Sequence, residues 1–162
     1  MSKEVDKILL QSYDLCEDGN FSDALKLYDL ALKLEPDNIN ALIDKGVTLQ
    51  NLGRIKQAIK YYDKALHIDP KNINALVNKG ASLHTDEKYR DAIKCYDLVL
   101  KINKKHAMAL AYKGLSLGES GNLADALKYF KKSLSIDHDY DLAHISKEMT
   151  EELLKHIKKQ KI

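Results

Sequence analysis

Apolar residues recur along the chain at the three- to four-residue spacing that predicts amphipathic helices, and these helices come in pairs. Residues 39–51 carry one apolar stripe and residues 55–68 carry another, with a short turn around Gly53 between them. Pro70 then ends the second stripe, because proline cannot continue a helix. The pattern therefore predicts a helical hairpin over residues 39–72.

This hairpin pattern returns every 34 residues. Residues 39–72 and 73–106 agree at nearly half of their positions, and INALIDKG in one becomes INALVNKG in the other. The same period relates columns of similar residues in successive units. The columns are Gly46, Gly80 and Gly114, then Ala24, Ala58, Ala92 and Ala126, and then Tyr28, Tyr62, Tyr96 and Phe130.

The period predicts four hairpins followed by one amphipathic helix. The hairpins span about residues 5–38, 39–72, 73–106 and 107–140. Residues 141–160 align with the first helix of a further unit but have no second helix after them. A repeat array needs a terminal element with one wetted face, so we expect this helix to cap the array. We predict one domain over residues 1–162.

A glycine inside a helix costs about 1 kcal/mol relative to alanine, so three at one spacing need a structural reason. We expect close approach of the two helices of each hairpin at the glycine column. The alanine column would supply small partners on the second helix, and the aromatic column would fill the space beside them.

These residues resemble the tetratricopeptide repeat family over almost the whole chain. The 34-residue period, the order glycine, tyrosine or phenylalanine, alanine and proline, and the endings ALKLEPDN and ALHIDPKN carry the resemblance. It implies an all-α fold, a right-handed α-solenoid of four helical hairpins with a C-terminal capping helix. Ser12 replaces the helix glycine in the first unit, and Glu87 replaces the turn glycine in the third. Lys104 and His138 replace proline, so we expect the third and fourth units to end less sharply.

Composition narrows the class of protein. With 26 Lys and Arg against 24 Asp and Glu, the net charge is +2, which gives no reason to expect a nucleic-acid partner. No apolar run approaches a membrane span, and the first residues lack the apolar core of a signal peptide. Cys16 and Cys95 imply no disulfide framework. We expect a cytoplasmic protein that does not engage a membrane.

Catalytic and metal signals are weak. The sequence has no phosphate-loop or nucleophile-elbow motif, and its six histidines lack metal-ligand spacing. We therefore expect no catalytic residue, no metal site and no cofactor. Cys95 falls in the column of Tyr61 and Tyr129, where packing is the simplest role, while Cys16 is expected to be partly exposed.

The predicted binding site lies on the concave face, which the first helices of a solenoid form. Its residues are Asn40, Ile43, Asp44, Val47, Asn74, Val77, Asn78, Ala81, Met108, Tyr112 and Leu115. Asparagine both donates and accepts hydrogen bonds and so can satisfy a peptide backbone of any sequence. The apolar members would supply contact area, with Tyr112 as the anchor. We expect a non-enzymatic scaffold that holds an extended or helical protein segment.

The resemblance also suggests what this groove does not bind. Some relatives hold the acidic C-termini of heat-shock chaperones with a clamp of basic and asparagine residues. The corresponding positions here are Leu9, Tyr13, Asp44, Asn74 and Asn78, or those one unit later, and neither set contains a basic residue. We therefore expect neutral or basic partner segments with apolar side chains, and no chaperone-tail clamp.

Two alternative functions stay open at this point. One is self-association, in which the helix carrying Leu142, Ile145 and Met149 enters the groove of a second copy. The other is a regulatory part of an enzyme complex whose activity lies in another chain.

A charge pattern gives one further structural prediction. Lysine occupies one column of the first helices where this family more often has leucine, and aspartate occupies a column of the second helices. We predict that each lysine pairs with the aspartate of the preceding unit. The pairs, called the charge ladder, are Lys45–Asp29, Lys79–Asp63 and Lys113–Asp97.

Overall fold

The structure is a computed structural model that describes residues 2–160. All regular secondary structure in that range is helical. The helices are α1 (Lys3–Glu17), α2 (Phe21–Leu34), α3 (Ile39–Asn51), α4 (Ile55–Ile68), α5 (Ile73–Thr85), α6 (Tyr89–Ile102), α7 (Ala107–Glu119), α8 (Leu123–Leu134) and α9 (Asp141–Gln160). The all-α prediction is thus confirmed for the described residues, and the predicted bounds of α3 and α4 are those observed.

The helices group into two compact units, Met1–Asp86 with α1 to α5 and Glu87–Ile162 with α6 to α9. A single domain over residues 1–162 stays a prediction, and residues 1, 161 and 162 lie outside the described range. Among residues 2–160, none of the helices has both the length and the apolar character that a membrane span requires.

In the first unit, α1 pairs with α2 and α3 pairs with α4, and α5 packs against α4. Its core is built from the apolar stripes seen in the sequence. Val5, Ile8, Ala31 and Ala41 form one buried cluster. A second cluster is centred on Tyr62, which is fully buried.

In the second unit, α7 pairs with α8, while α6 packs against α7 and α9 packs against α8. Phe130 and Tyr96 are its largest buried rings. Ala111, Leu134 and Ala143 form a cluster beneath the half-buried Tyr140, and Ala143 brings α9 into it. This contact gives α9 the packed face that a capping helix needs.

The helix glycines Gly46 and Gly114 pack against aromatic rings. A Cβ added to Gly46 would lie 2.5 Å from the Tyr62 ring, and one added to Gly114 would lie 2.7 Å from the Phe130 ring. The predicted close approach is therefore confirmed at these two hairpins, with the ring of the aromatic column as the nearest neighbour of the glycine, while the alanine partners stay a prediction. The ring lies directly on the glycine because only a helix surface without Cβ leaves room for it.

Asparagine and histidine side chains cap the first helices. Asn38 accepts a hydrogen bond from the Ala41 backbone N–H at 3.0 Å, and Asn72 caps α5 in the same way. His106 takes this role for α7, where its Nδ1 accepts from the Ala109 N–H at 3.2 Å. The sequence reasoning missed these caps, although all three residues stand at one position of the repeat.

The third repeat, residues 73–106, ends as sharply as the repeats that contain proline. Asn103, which precedes Lys104, has φ −131° and ψ 99°, close to the φ −129° and ψ 85° of Glu35 before Pro36. The expectation of a less sharp end was therefore wrong for the third repeat. It was right for the fourth, because the backbone of Ser135 after α8 stays in the right-handed helical region. The backbone at Asn103 keeps the shape that proline would impose without having proline after it.

Glu87 adopts the backbone conformation of the glycine that it replaces. Its φ is 59°, and the turn glycines Gly19, Gly53 and Gly121 have φ between 70° and 88°. A non-glycine residue in this left-handed region costs roughly 1–2 kcal/mol. The repeat therefore holds its turn shape against the local preference of glutamate.

The structure confirms all three pairs of the charge ladder. Lys45 pairs with Asp29, Lys79 with Asp63 at 2.6 Å, and Lys113 with Asp97 at 2.5 Å. The Lys45 side chain is only 7% exposed, whereas its partner carboxylate is largely in water.

Tyrosine hydroxyls, which the sequence reasoning did not include, complete two of these sites. Lys45 donates to the Tyr61 hydroxyl at 2.7 Å, and Lys113 donates to the Tyr129 hydroxyl at 2.8 Å. Each of these lysines therefore links its own helix to the helix before it and to the helix after it.

Candidate protein-binding surfaces

The predicted site residues of the first unit divide into exposed polar and buried apolar side chains. Asn40, Asp44 and Asn74 are exposed. Ile43 and Val77 are each only 7% exposed, and Ile43 belongs to the Tyr62 core cluster. Ile43 and Val77 therefore leave little of the expected contact area to a ligand, because the core already covers them.

The rest of this predicted set lies between the two extremes. Val47, Asn78 and Ala81 are half-buried. Asn74 and Asn78 are one helical turn apart on α5, so their amides lie on the same face. The surface that α3 and α5 offer to a ligand is therefore mainly polar, with little free apolar area.

Asp44 lies at a partly desolvated surface position. Its side chain is exposed, but surrounding protein atoms exclude enough water to raise the pKa of its carboxyl above the usual range of an aspartate. Its negative charge, where present, disfavours an acidic ligand at this place.

The second unit presents tyrosines where the first unit presents amides. Tyr112 is half-buried, and its ring lies 5.9 Å from that of the buried Tyr96 at an angle of 31°. Burial, with a smaller effect of the neighbouring Tyr112, raises the pKa of Tyr140 to about 12. Tyr112 is thus held by two aromatic neighbours and still shows part of its ring to solvent.

The remaining predicted residues of this unit flank Tyr112 on α7. Met108 is 42% exposed and Leu115 is half-buried, while Ala111 between them is fully buried. Met108 and Tyr112 are one helical turn apart and offer adjacent apolar contact area.

A partly buried polar cluster, absent from the predicted site, links α3, α4 and α5. The Gln50 carboxamide oxygen accepts hydrogen bonds from the Tyr62 hydroxyl at 3.2 Å and from the Ser82 hydroxyl at 2.8 Å. At the same repeat position in α1, the Cys16 sulfur lies 3.4 Å from the Thr48 hydroxyl and 3.9 Å from that of Tyr28. Aligning these columns at the 34-residue period was the signal that could have revealed the cluster.

The last hairpin has neither a polar side chain nor a hydroxyl at these positions. Gly118 stands where Gln50 stands, and Phe130 stands where Tyr62 stands. A cavity of about 510 Å³ lies beside them, lined also by Leu115, Met149 and Leu153. Because Gly118 has no side chain, this space next to α9 stays open.

The capping helix keeps an exposed apolar stripe. Ile145, Met149 and Leu153 are 57%, 66% and 48% exposed. Ile145 occupies the column of Ile43 and Val77, so a position that is buried in the first unit is bare on α9.

The cysteines are placed as their columns suggested. Cys95 is buried and Cys16 is half-buried. In residues 2–160, no three histidine, cysteine or acidic side chains come together in a group that could hold a metal ion.

Two models of one repeat family match the sequence. The tetratricopeptide repeat is matched over residues 39–72 by one model and over residues 80–141 by another, together more than half of the chain. No curated protein sequence matches the chain.

Solved structures share the fold at low sequence identity. MamA from Desulfovibrio magneticus RS-1, residues 41 to the end, is 20% identical with a TM-score of 0.81, covering 98% of this chain and 96% of that one. A tetratricopeptide repeat protein from Parabacteroides merdae is 23% identical with a TM-score of 0.83, covering 96% of this chain and 62% of that one.

One similar structure contains a bound peptide. The first tetratricopeptide repeat domain of Spaghetti, bound to an HSP90 peptide, is 20% identical with a TM-score of 0.69. The match covers 72% of this chain and 93% of that one.

Proposed function

The chain belongs to the tetratricopeptide repeat family, and we propose that it is a non-enzymatic scaffold that binds an extended or helical protein segment on its first helices. The fold is an α-solenoid of helical hairpins, and proteins of this family generally bind other proteins. We also propose that it works in the cytoplasm, where the thiols of Cys16 and Cys95 would stay reduced.

One observation carries the proposal. The first helices expose hydrogen-bonding side chains, among them Asn40 and Asn74, at positions where the intervening apolar residues are already buried. These side chains cap no helix, a task performed by Asn38, Asn72 and His106. They are therefore available to a ligand backbone.

The partner that fits this surface is neutral or basic with apolar side chains. Asp44 supplies a carboxylate in a partly desolvated position, and the positions of the chaperone-tail clamp hold no basic residue. Tyr112 and Met108 offer apolar contact area in the second unit. An acidic chaperone tail, such as the HSP90 peptide in the similar structure, is not the expected ligand.

The test is selection of peptides from a random phage-displayed library on the immobilised protein. We expect the enriched peptides that bind this surface to combine apolar with neutral or basic residues, and they are recognised by their dependence on the residues changed below. One variant replaces Asn74 and Asn78 with alanine, and another replaces Met108 with glutamate, with helicity confirmed by circular dichroism. Both should weaken the selected peptides at least about tenfold, or 1.4 kcal/mol. Folded variants that bind unchanged would place the binding site elsewhere.

Self-association is the second candidate, and the bare stripe on α9 favours it. Ile145, Met149 and Leu153 would be buried if the helix packed on a second copy. Light scattering over a range of concentrations should then show a mass above that of the 18.4 kDa monomer. Met149→Glu should restore the monomer, and a monomeric mass at every concentration would exclude this candidate.

A further inference from the structure

The second unit carries a groove with a lysine-rich lining between α6, α7 and α8. It encloses about 700 Å³, a volume in the usual range of ligand sites. Five lysines line it, namely Lys101, Lys104, Lys105, Lys113 and Lys132. We call it the lysine groove.

Its apolar lining includes the half-buried Leu100 and the exposed Ile136. The carboxylate of its lining is Asp97, which is already paired with Lys113. The groove thus combines apolar surface with an excess of positive charge.

Most of this positive charge is not neutralised. Within residues 2–160, Lys101, Lys104 and Lys105 form no ion pair. The Lys132 ammonium lies 5.2 Å from the centre of the Tyr129 ring, a contact that leaves its charge in place. Like charges held together around a concave surface attract a negatively charged ligand.

The first unit provides an internal comparison. Lys33 and Lys64 correspond to Lys101 and Lys132, but Pro36 and Asp37 stand where Lys104 and Lys105 stand. Two adjacent positions therefore change from one negative charge to two positive charges. The difference comes from the loop between α6 and α7 and not from the lysines that the hairpins share.

We propose that the lysine groove binds an acidic protein segment in which carboxylates alternate with leucine-sized side chains. The carboxylates would meet Lys101, Lys104 and Lys105, and the apolar side chains would cover Leu100 and Ile136. A nucleic acid fits less well, because phosphate contacts use the charges and leave the apolar surface uncovered. The proposal does not rest on the proposed function, since the two surfaces share no residue.

The loop itself supplies a variant that should fold. Lys104→Pro with Lys105→Asp reproduces the residues of the first unit, and Asn103 already has the backbone angles found before Pro36. A control with the same change in net charge, Lys158→Glu with Lys159→Gln, lies on α9, which lines no part of the groove. Circular dichroism should show equal helicity for both.

The probe is the fluorescein-labelled peptide Gly-Glu-Leu-Asp-Glu-Leu-Asp-Gly, measured by fluorescence anisotropy at about 0.1 M and about 1 M ionic strength. We expect binding to the unmodified protein that weakens at high salt. It should weaken at least about tenfold in the loop variant and less than about twofold in the α9 control. Replacing both leucines of the peptide with serine should also weaken it.

Three results would overturn the proposal. The unmodified protein could fail to bind the peptide, or the loop variant and the α9 control could weaken it equally. The third result is that the serine peptide, or a single-stranded oligonucleotide of equal charge, binds as tightly as the leucine peptide. The groove would then be a general polyanion-binding surface.

Discussion

The α3/α4 hairpin of the first unit and the α7/α8 hairpin of the second are built on the same contact but differ beside it. In each, an aromatic ring lies on a helix glycine, Gly46 under Tyr62 and Gly114 under Phe130. The α3/α4 hairpin adds the polar cluster at Gln50, whereas the α7/α8 hairpin has Gly118 and an open cavity. The shape of the repeat thus depends on the ring and the glycine, while the polar cluster next to them is variable.

The largest expected effect comes from filling the glycine contact. Gly114→Ala places a Cβ 2.7 Å from the Phe130 ring. Overpacking should cost about 1–3 kcal/mol, and the better helix propensity of alanine should return about 1 kcal/mol, so we expect a lower unfolding free energy. Gly46→Ala should behave alike. The midpoint of denaturant unfolding measures this loss.

Gly118→Ala is the matched control in the same helix. A Cβ there meets only Ala126, at an ordinary 3.7 Å. We therefore expect it to raise the unfolding free energy by up to about 1 kcal/mol. Equal effects at Gly114 and Gly118 would contradict the account of the ring on the glycine.

The polar cluster gives the next effect. Tyr62→Phe removes the hydrogen bond to Gln50 and should lower the unfolding free energy by about 1 kcal/mol. Phe130→Tyr should change it less, because the added hydroxyl lies beside an open cavity. Urea titrations of the two variants decide whether the hairpins differ in this way.

Tyr62 also predicts a dependence on pH. Burial raises the pKa of its hydroxyl well above its usual value near 10. The folded protein then holds this proton where the unfolded chain loses it, so stability is fully present below pH 10 and falls as the pH rises further. The fall should be shallower in Tyr62→Phe than in the unmodified protein, and an identical slope would rule out this contribution.

The charge ladder should contribute modestly to stability in both hairpins. Asp29 and Asp97 are substantially exposed, so Asp29→Asn and Asp97→Asn should each cost no more than about 1 kcal/mol. High salt should reduce both effects. A loss of several kcal/mol from either variant would show that solvent does not screen these pairs.

The smallest effect is expected at the start of the two hairpins. His106→Asn gives α7 the cap that Asn38 gives α3, and we expect a gain of about 0.5 kcal/mol. The melting temperature of His106→Asn should rise slightly, and that of the reverse exchange, Asn38→His, should fall. A gain from both substitutions would show that the cap position does not distinguish the hairpins.

The periodic features of the molecule could be predicted from the sequence, and the irregular ones could not. Helix bounds and the charge ladder follow from columns that recur at one period, so Lys45 could be assigned to Asp29 in advance. The burial of Ile43 and Val77 was missed because a helical wheel shows direction but not what packs above a residue. The Gln50 cluster escaped because its column holds different residues in different repeats, Cys16 and Gln50 among them. The lysine groove escaped because it depends on one repeat differing from the others.

The charge ladder also bears on how such a chain grows by duplication. In the ladder, the lysine of one repeat pairs with the aspartate of the preceding repeat, and its aspartate pairs with the lysine of the following repeat. A copied repeat therefore brings one partner for each of its two neighbours. The two ends carry the exceptions. Gln11 replaces the lysine in the first repeat, and Lys131 replaces the aspartate in the last and lies 3.5 Å from Glu151 of α9. A repeat inserted between existing ones would be electrostatically matched at once, whereas one added at either end would need a further mutation.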